Sequence, residues 1–186
     1  MKSGIPSKLL IATWIIAAVI APTHKTFAGT GNVKGSEAGT FVPSNFSYNG
    51  DGDAGLTTYA GHDNLGGPFT GQDLEQYSFT GSSCTAPDGS AGSVFVLVQA
   101  TGVNIYNQGQ LYFAGAGAAD GSGCASNTTG STRAVLTFSV TGGTEKFTNA
   151  SGSITLTIVA QVLAFSPSNL GVFGARQASI TGAVTY

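Results

Sequence analysis

Hydrophobic and polar residues alternate with a spacing of two along most of the chain after residue 28. Such alternation predicts β-strands, because successive side chains of a strand point to opposite faces. No segment of this part shows the spacing of three and four that is typical of an amphipathic helix. Strands are predicted at 40–48, 56–60, 74–80, 94–98, 134–140, 153–165 and 178–186, and residues 105–113 are predicted as two short strands around a turn at Asn107-Gln108-Gly109.

Turns rich in Gly, Asn and Asp separate these strands at fairly even intervals. Even spacing without helices predicts an all-β fold, namely an antiparallel eight-stranded β-barrel, with a β-sandwich as the alternative. Residues 29–39 and 114–130 carry the weakest pattern, so we expect a flexible N-terminal segment and a Gly/Ala/Ser-rich loop there. Residues 40–186 are then predicted to form a single barrel domain.

The beginning of the chain has the order of a secretory signal peptide. Lys2 and Lys8 precede an unbroken apolar run at 9–21, and a short polar stretch with small residues follows. The run has 13 residues, fewer than the roughly 20 that a membrane-spanning helix needs. We expect cleavage after Ala28, with cleavage after Ala21 and a retained membrane anchor as the alternatives. The sequence therefore predicts a secreted or periplasmic protein.

Cys84 and Cys124 are the two cysteines of the chain. An even number of cysteines in an exported protein predicts one disulfide bond, because exported proteins mature in an oxidising compartment. A reactive pair of thiols is the alternative.

Charged residues make up 9% of the chain. After cleavage at Ala28, four basic residues face nine acidic ones, which gives a formal charge of −5. So few cations cannot neutralise a phosphate backbone or an anionic lipid surface, so we expect no nucleic-acid partner. No second apolar run approaches membrane length, so we expect no membrane association once the signal peptide is removed.

One segment resembles a known family. Residues 141–152 read TGGTEKFTNASG and are followed by the alternating residues SITLT. This stretch is similar to the "GGTGxF" segment of the allene oxide cyclase and dirigent barrel superfamily, and more closely to small exported bacterial proteins assigned to that barrel type. The resemblance implies that Phe147 points inward as a plug and that the next strand begins at Gly152. The chain departs from the pattern at Glu145, where the family usually has Gly.

The resemblance also implies an eight-stranded barrel whose lumen holds a small apolar molecule. The active-site residues of the plant enzymes do not align with this chain, so none is transferred.

Asp73, Glu75 and Tyr77 occupy alternate positions of a predicted strand and therefore share one face. If that face points into the barrel, the paired carboxylates and the phenol could carry out acid–base catalysis, because one carboxylate raises the pKa of the other. If the face points to water, the three residues are a solvated strand surface. Charged residues are seldom buried unpaired, so the sequence favours the solvated arrangement.

His62 is the one histidine that remains after cleavage at Ala28. It lies in a predicted turn at 61–67, so we expect an exposed loop histidine, with proton transfer or a ligand contact as the alternative. No G-x-S-x-G segment supports a Ser–His–acid triad. Residues 49–55 place oxygen side chains at alternate positions but lack the Gly and Glu of a complete calcium loop, so we expect no metal site.

Arg133 and Arg176 adjoin predicted strands, where each could pair with a buried acid or contact an anionic ligand. A position on the surface or at a sheet edge is favoured for both. Tyr106 could line a ligand site or belong to the core.

The resemblance, together with the scarcity of reactive groups, implies a secreted β-barrel protein that binds a small apolar ligand without catalysis and without a cofactor. One alternative is an enzyme of the cyclase or dirigent kind. The other is a self-assembling, pilus-like surface protein, suggested by the alternating strand at the C-terminus.

Overall fold

The computed structural model describes residues 29–44, 53–165 and 171–186. The predicted signal peptide and residues 45–52, which include most of the segment weighed as a calcium loop, lie outside the described residues. The described residues form nine strands, and one 3₁₀ turn lies at Glu145–Phe147. The strands are β1 Thr30–Ser44, β2 Asp53–Asp63, β3 Gly67–Thr85, β4 Ala91–Tyr106, β5 Gly109–Ala116, β6 Gly121–Ser126, β7 Ser131–Gly143, β8 Ser151–Phe165 and β9 Gly171–Thr185.

All strand pairs are antiparallel, and the sheet closes on itself. The order β3-β2-β1-β9-β8-β7-β5-β4 forms a ring of eight strands, because β3 also pairs with β4. This confirms the predicted all-β class and the antiparallel arrangement of eight strands. Among the described residues, no helix is long and apolar enough to cross a membrane.

Strand β6, which is not in this ring order, continues the line of β5. Strand β5 pairs with β4 and β7 near one end of the ring, and β6 pairs with the same two strands nearer the other end. Together they occupy one position of the ring, interrupted at 117–120. The prediction of a loop over 114–130 is therefore wrong for most of its length. Small residues obscured the strand pattern there, because an inward glycine leaves no apolar side chain to alternate.

The flexible N-terminal segment expected at 29–39 is also wrong, because β1 begins at Thr30 and not near residue 40. Thr30 pairs with Thr185 of β9, and Gly35 pairs with Asp63 of β2. Its buried side chains are Val33 and Glu37. One apolar and one acidic inward residue give no apolar alternation, so the strand was not recognisable in the sequence.

The core lies inside the ring. At the end where β1 begins, Phe147 is fully buried, with its ring centroid 5.1 Å from that of Tyr106 and 5.5 Å from that of Tyr186. Phe147 thus points inward and fills this closed end, as predicted. Nearer the middle, the ring of Tyr59 lies so close to Gly71 that a Cβ at that position would overlap it.

The turn between β7 and β8 has an unusual backbone. Glu145 has a φ of 51° and is the one non-glycine with a positive φ in the described ranges 29–44, 53–165 and 171–186. L-residues other than Gly, Asn and Asp adopt this left-handed conformation at a cost of about 1–2 kcal/mol. The position therefore favours glycine.

Cys84 of β3 and Cys124 of β6 form the predicted disulfide, with their Cα atoms 6.1 Å apart. The bond lies toward the end of the ring opposite Phe147, because β3 ends and β4 begins at that end.

Candidate functional site

Arg176 lies inside the ring and contacts three carboxylates, a group that we call the Arg176 cluster. Its Nη2 atom is 2.7 Å from Glu37 Oε1 and 2.7 Å from Asp73 Oδ2. Its Nη1 atom is 3.1 Å from Glu75 Oε1. The side chains of all four residues are at most 6% exposed. Three strands therefore bring one cation and three acids together in the interior.

Strand alternation explains how the acids share one face. Asp73 and Glu75 are two positions apart on β3, and Glu37 lies on β1, two strands away across β2. The expectation that Asp73 and Glu75 form a solvated surface is therefore wrong, as is a surface or edge position for Arg176. The physical reason is compensation: Arg176 comes from β9, 101 residues beyond Glu75, and supplies the positive charge that the carboxylates need when buried.

Two aromatic residues complete the Arg176 cluster. The Tyr77 hydroxyl donates a hydrogen bond of 2.5 Å to Glu75 Oε2, so the third residue of the predicted trio also joins it. The guanidinium carbon of Arg176 lies 5.1 Å from the centre of the Tyr59 ring, a distance that allows a cation–π interaction. Both Nη atoms of the guanidinium therefore face carboxylates, and its plane lies near an aromatic ring.

A second polar chain runs from Tyr59 toward the closed end. The Tyr59 hydroxyl donates to Asn104 Oδ1 at 2.9 Å, and the Tyr106 hydroxyl donates to Asp63 Oδ2 at 2.6 Å. Asn104 Nδ2 is 3.5 Å from the Tyr106 hydroxyl and links the two pairs. Asp63 Oδ1 accepts hydrogen bonds from the backbone of the β2–β3 turn. Tyr106, a candidate ligand contact from the sequence, is therefore buried within this row of hydrogen-bonded side chains.

Burial dominates the acid–base behaviour of the carboxylates. Burial, together with the charge of Glu75, raises the pKa of Asp73 to about 8. Burial also raises the pKa of Glu37, although Arg176 opposes the shift. Burial therefore favours the protonated form of Asp73, whereas Arg176 favours its charged form.

The phenols and the guanidinium shift as well. Burial and the charge of Glu75 raise the pKa of Tyr77 well above its ordinary value. Burial and the charge of Asp73 raise that of Tyr59, and burial and Asp63 raise that of Tyr106. Burial by itself would lower the pKa of Arg176, but the three carboxylates raise it well above the ordinary value. The phenols stay protonated and the guanidinium stays charged.

Inward side chains become more exposed on the disulfide side of the Arg176 cluster. Phe41, Tyr77 and Val162 are partly exposed, and we call these three residues the mouth. The Phe41 ring packs on Gly174, which pairs with Val162, and the Tyr77 ring is 4.9 Å from that of Phe95. Gly174 precedes Arg176 by two positions, so the mouth lies one layer of side chains from the cluster.

The remaining predicted site residues lie elsewhere. His62 is on β2 rather than in a turn, and its exposed side chain lines a shallow groove on the outer face with Ser36 and Gln177. Arg133 is exposed on β7. Neither joins the Arg176 cluster. Within the described ranges, no group of three or more His, Cys, Asp or Glu side chains is arranged to hold a metal ion.

Sequence reasoning missed Glu37 and Asn104 as members of the interior site. A signal for Glu37 existed, because acids and cations are rare in this chain and a buried Arg needs partners.

No protein-family model, curated protein or solved structure matches this chain.

Proposed function

We propose that this chain is an exported barrel protein that binds a small, largely apolar molecule at the mouth, directly above the Arg176 cluster. The observation that carries the proposal is the juxtaposition of partly exposed apolar side chains with convergent, buried polar groups inside one ring of strands. Sites for small molecules have this composition: a mostly apolar wall and a few placed polar groups that orient the ligand.

The Arg176 cluster is poorly explained as a device for stability. Moving each charged group out of water costs several kcal/mol, and well-packed apolar residues of similar volume often stabilise a fold as well or better. Ionisable groups with perturbed pKa values in an enclosed site are more typical of function. The cluster therefore supports a role in contacting a ligand.

Export is supported by the order of charged, apolar and small residues at 2–28 and by the disulfide between Cys84 and Cys124. We also propose kinship with the allene oxide cyclase and dirigent barrels. The ring of eight strands, the inward Phe147 and the left-handed backbone at Glu145, where that family usually has Gly, support it.

A native mass spectrum of the oxidised protein, purified from its own exported fraction, tests the binding proposal. We expect an added mass of the size of a small organic molecule, and its loss when the protein is denatured. A bare chain in every preparation would contradict the proposal.

A matched pair of variants locates the site. Val162→Phe fills the mouth from β8, whereas Val159→Phe adds the same ring to the outer face of the same strand, where Val159 is 53% exposed. We expect Val162→Phe to lose the added mass and Val159→Phe to keep it. Retention by both variants would place the ligand elsewhere.

An enzyme of the cyclase or dirigent kind is the second candidate, and the hydrogen bond between Tyr77 and Glu75 favours it. A phenol bound to a carboxylate at the mouth could give a proton to a bound molecule or take one from it. Analysis of the molecule recovered from wild type and from Tyr77→Phe separates the candidates. A binding protein yields the same compound from both, whereas an enzyme yields product from wild type and unchanged substrate from the variant.

A pilus-like assembly finds less support. Strand β9 already pairs with β1 on one edge and with β8 on the other, so exchange of the C-terminal strand would require it to leave both neighbours.

A further inference from the structure

Two buried atoms of the Arg176 cluster have no hydrogen-bond partner within the described part of the chain. They are Asp73 Oδ1 and Arg176 Nε. The two side chains are 0% and 3% exposed, and they already touch through Asp73 Oδ2 and Arg176 Nη2 at 2.7 Å. Buried polar atoms normally find a partner, because leaving one unsatisfied destabilises the fold. The unsatisfied pair therefore points to a further group at this position.

The chemistry of the two atoms restricts that group. The Nε–H of Arg176 needs an acceptor. Asp73 Oδ1 needs a donor when the carboxyl is ionised and an acceptor when it is protonated. A hydroxyl group meets each of these demands, because its oxygen accepts and its hydrogen donates.

Other common head groups fit less well. An ammonium group cannot accept a hydrogen bond from Nε. A carboxylate would add a negative charge beside Glu37 and Glu75 in the interior, where like charges repel strongly. The excess of acids over cations in the cluster therefore disfavours an anionic ligand group.

We infer that the site takes an apolar alcohol, whose hydroxyl group binds between Asp73 Oδ1 and Arg176 Nε and whose hydrocarbon part extends to Phe41 and Val162 at the mouth. The inference rests on the proposed binding function and adds the class of ligand. A water molecule offers the same hydroxyl chemistry, so the experiment has to separate the two sources.

The groups that surround this position come from four strands. Thr57 of β2 makes a side-chain hydrogen bond to the Asp73 carboxyl, and the charges of Glu75 on β3 and Glu37 on β1 act on that carboxyl. The Tyr59 ring, also on β2, lies against the guanidinium of Arg176. Both Nη atoms of Arg176, on β9, already donate to carboxylates. Nε is thus the guanidinium nitrogen without a hydrogen-bond partner, whereas Nη1 uses at least one of its two N–H groups on Glu75.

Hexanol, chlorohexane and hexylamine carry the same hydrocarbon chain and serve as probes. Each is titrated into the oxidised protein, and binding is measured from the chemical shifts of the core methyl groups. Chlorohexane reports on the apolar mouth alone, because its chlorine is a poor hydrogen-bonding group. We expect hexanol to bind about tenfold more tightly than chlorohexane, the ratio that one net hydrogen bond gives. Hexylamine should bind more weakly than hexanol.

Arg176→Lys tests the role of Nε, because lysine keeps the positive charge but has no second donor nitrogen along its stem. We expect this variant to bind hexanol and chlorohexane about equally, while Arg133→Lys, on the outer surface, keeps the tenfold preference. If Arg176→Lys does not fold, the comparison of hexanol with chlorohexane in the wild-type protein still tests the inference.

The outcomes separate the inference from the function on which it rests. Equal binding of hexanol and chlorohexane by wild type, or tighter binding of hexylamine, would overturn the alcohol class and leave apolar binding intact. Failure of all three probes to bind would overturn both. In crystals soaked with hexanol, its oxygen between the two atoms supports the inference, whereas a water molecule there with hexanol bound elsewhere refutes it.

Discussion

Arg176→Gln removes the cation from the Arg176 cluster while leaving a polar side chain that can still donate a hydrogen bond. Three carboxylates at 2.7, 2.7 and 3.1 Å would then share the interior without a positive charge. We expect the variant to be folded at low temperature but much less stable than wild type.

The magnitude follows from the burial of the groups. The side chains are 0–6% exposed, so water cannot solvate the carboxylates that are left behind. Removing one partner of a buried ion pair costs about 3–5 kcal/mol. Proton uptake by the remaining acids relieves part of this cost, as the raised pKa values of Asp73 and Glu37 already show for the intact cluster. We therefore expect a loss of about 3–5 kcal/mol at pH 7 and a smaller loss at pH 5.

Urea denaturation of the oxidised chain from residue 29, followed by tyrosine fluorescence, measures the loss. Arg133→Gln is the matched control, because Arg133 is exposed on β7 and should change the free energy of unfolding by less than about 0.5 kcal/mol. A loss for Arg176→Gln below about 1 kcal/mol, or one that does not shrink at pH 5, would refute the electrostatic account of the interior.

Three further predictions concern pH, the β7–β8 turn and the closed end of the ring. The pKa of Asp73 is about 8 in the folded chain against 3.8 for the free group, so the folded state keeps a proton that the unfolded state releases. The stability that this proton contributes is complete below pH 4 and is lost as the pH rises to 8, by up to about 1.4 kcal/mol per pH unit. Urea titrations at several pH values measure this slope, and Asp73→Asn should flatten it. Glu145→Gly should raise the free energy of unfolding by about 1 kcal/mol, because it relieves a left-handed φ of 51°. Thr144→Gly, at an extended φ of −122°, should lower the free energy of unfolding. A change of the same sign in both variants would contradict this account of the turn. Phe147→Ala should cost about 3–5 kcal/mol in thermal unfolding because the ring is fully buried, against less than about 1 kcal/mol for Phe79→Ala at a side chain that is 51% exposed.

The sequence was most informative where apolar alternation was strong. Residues 94–98 and 134–140 lie within β4 and β7, and the turn at Asn107-Gln108 joins β4 to β5 as predicted. The disulfide was equally predictable from the sequence, because two cysteines in an exported chain leave one pairing. Where the inward residues are glycine or acidic, as at 30–39 and 121–126, the same rule failed, because it detects strands by their apolar side chains.

The sequence by itself determined that this chain is all-β, that Asp73, Glu75 and Tyr77 share one face, and that charged residues are too few to cover a surface. Only the tertiary structure decided that this face is the interior. Alternation defines two faces of a strand but not which of them is buried, and that choice depends on whether a distant residue compensates the charges. Arg176 provides that compensation from β9, and closure of the ring brings it within 2.7 Å of Asp73.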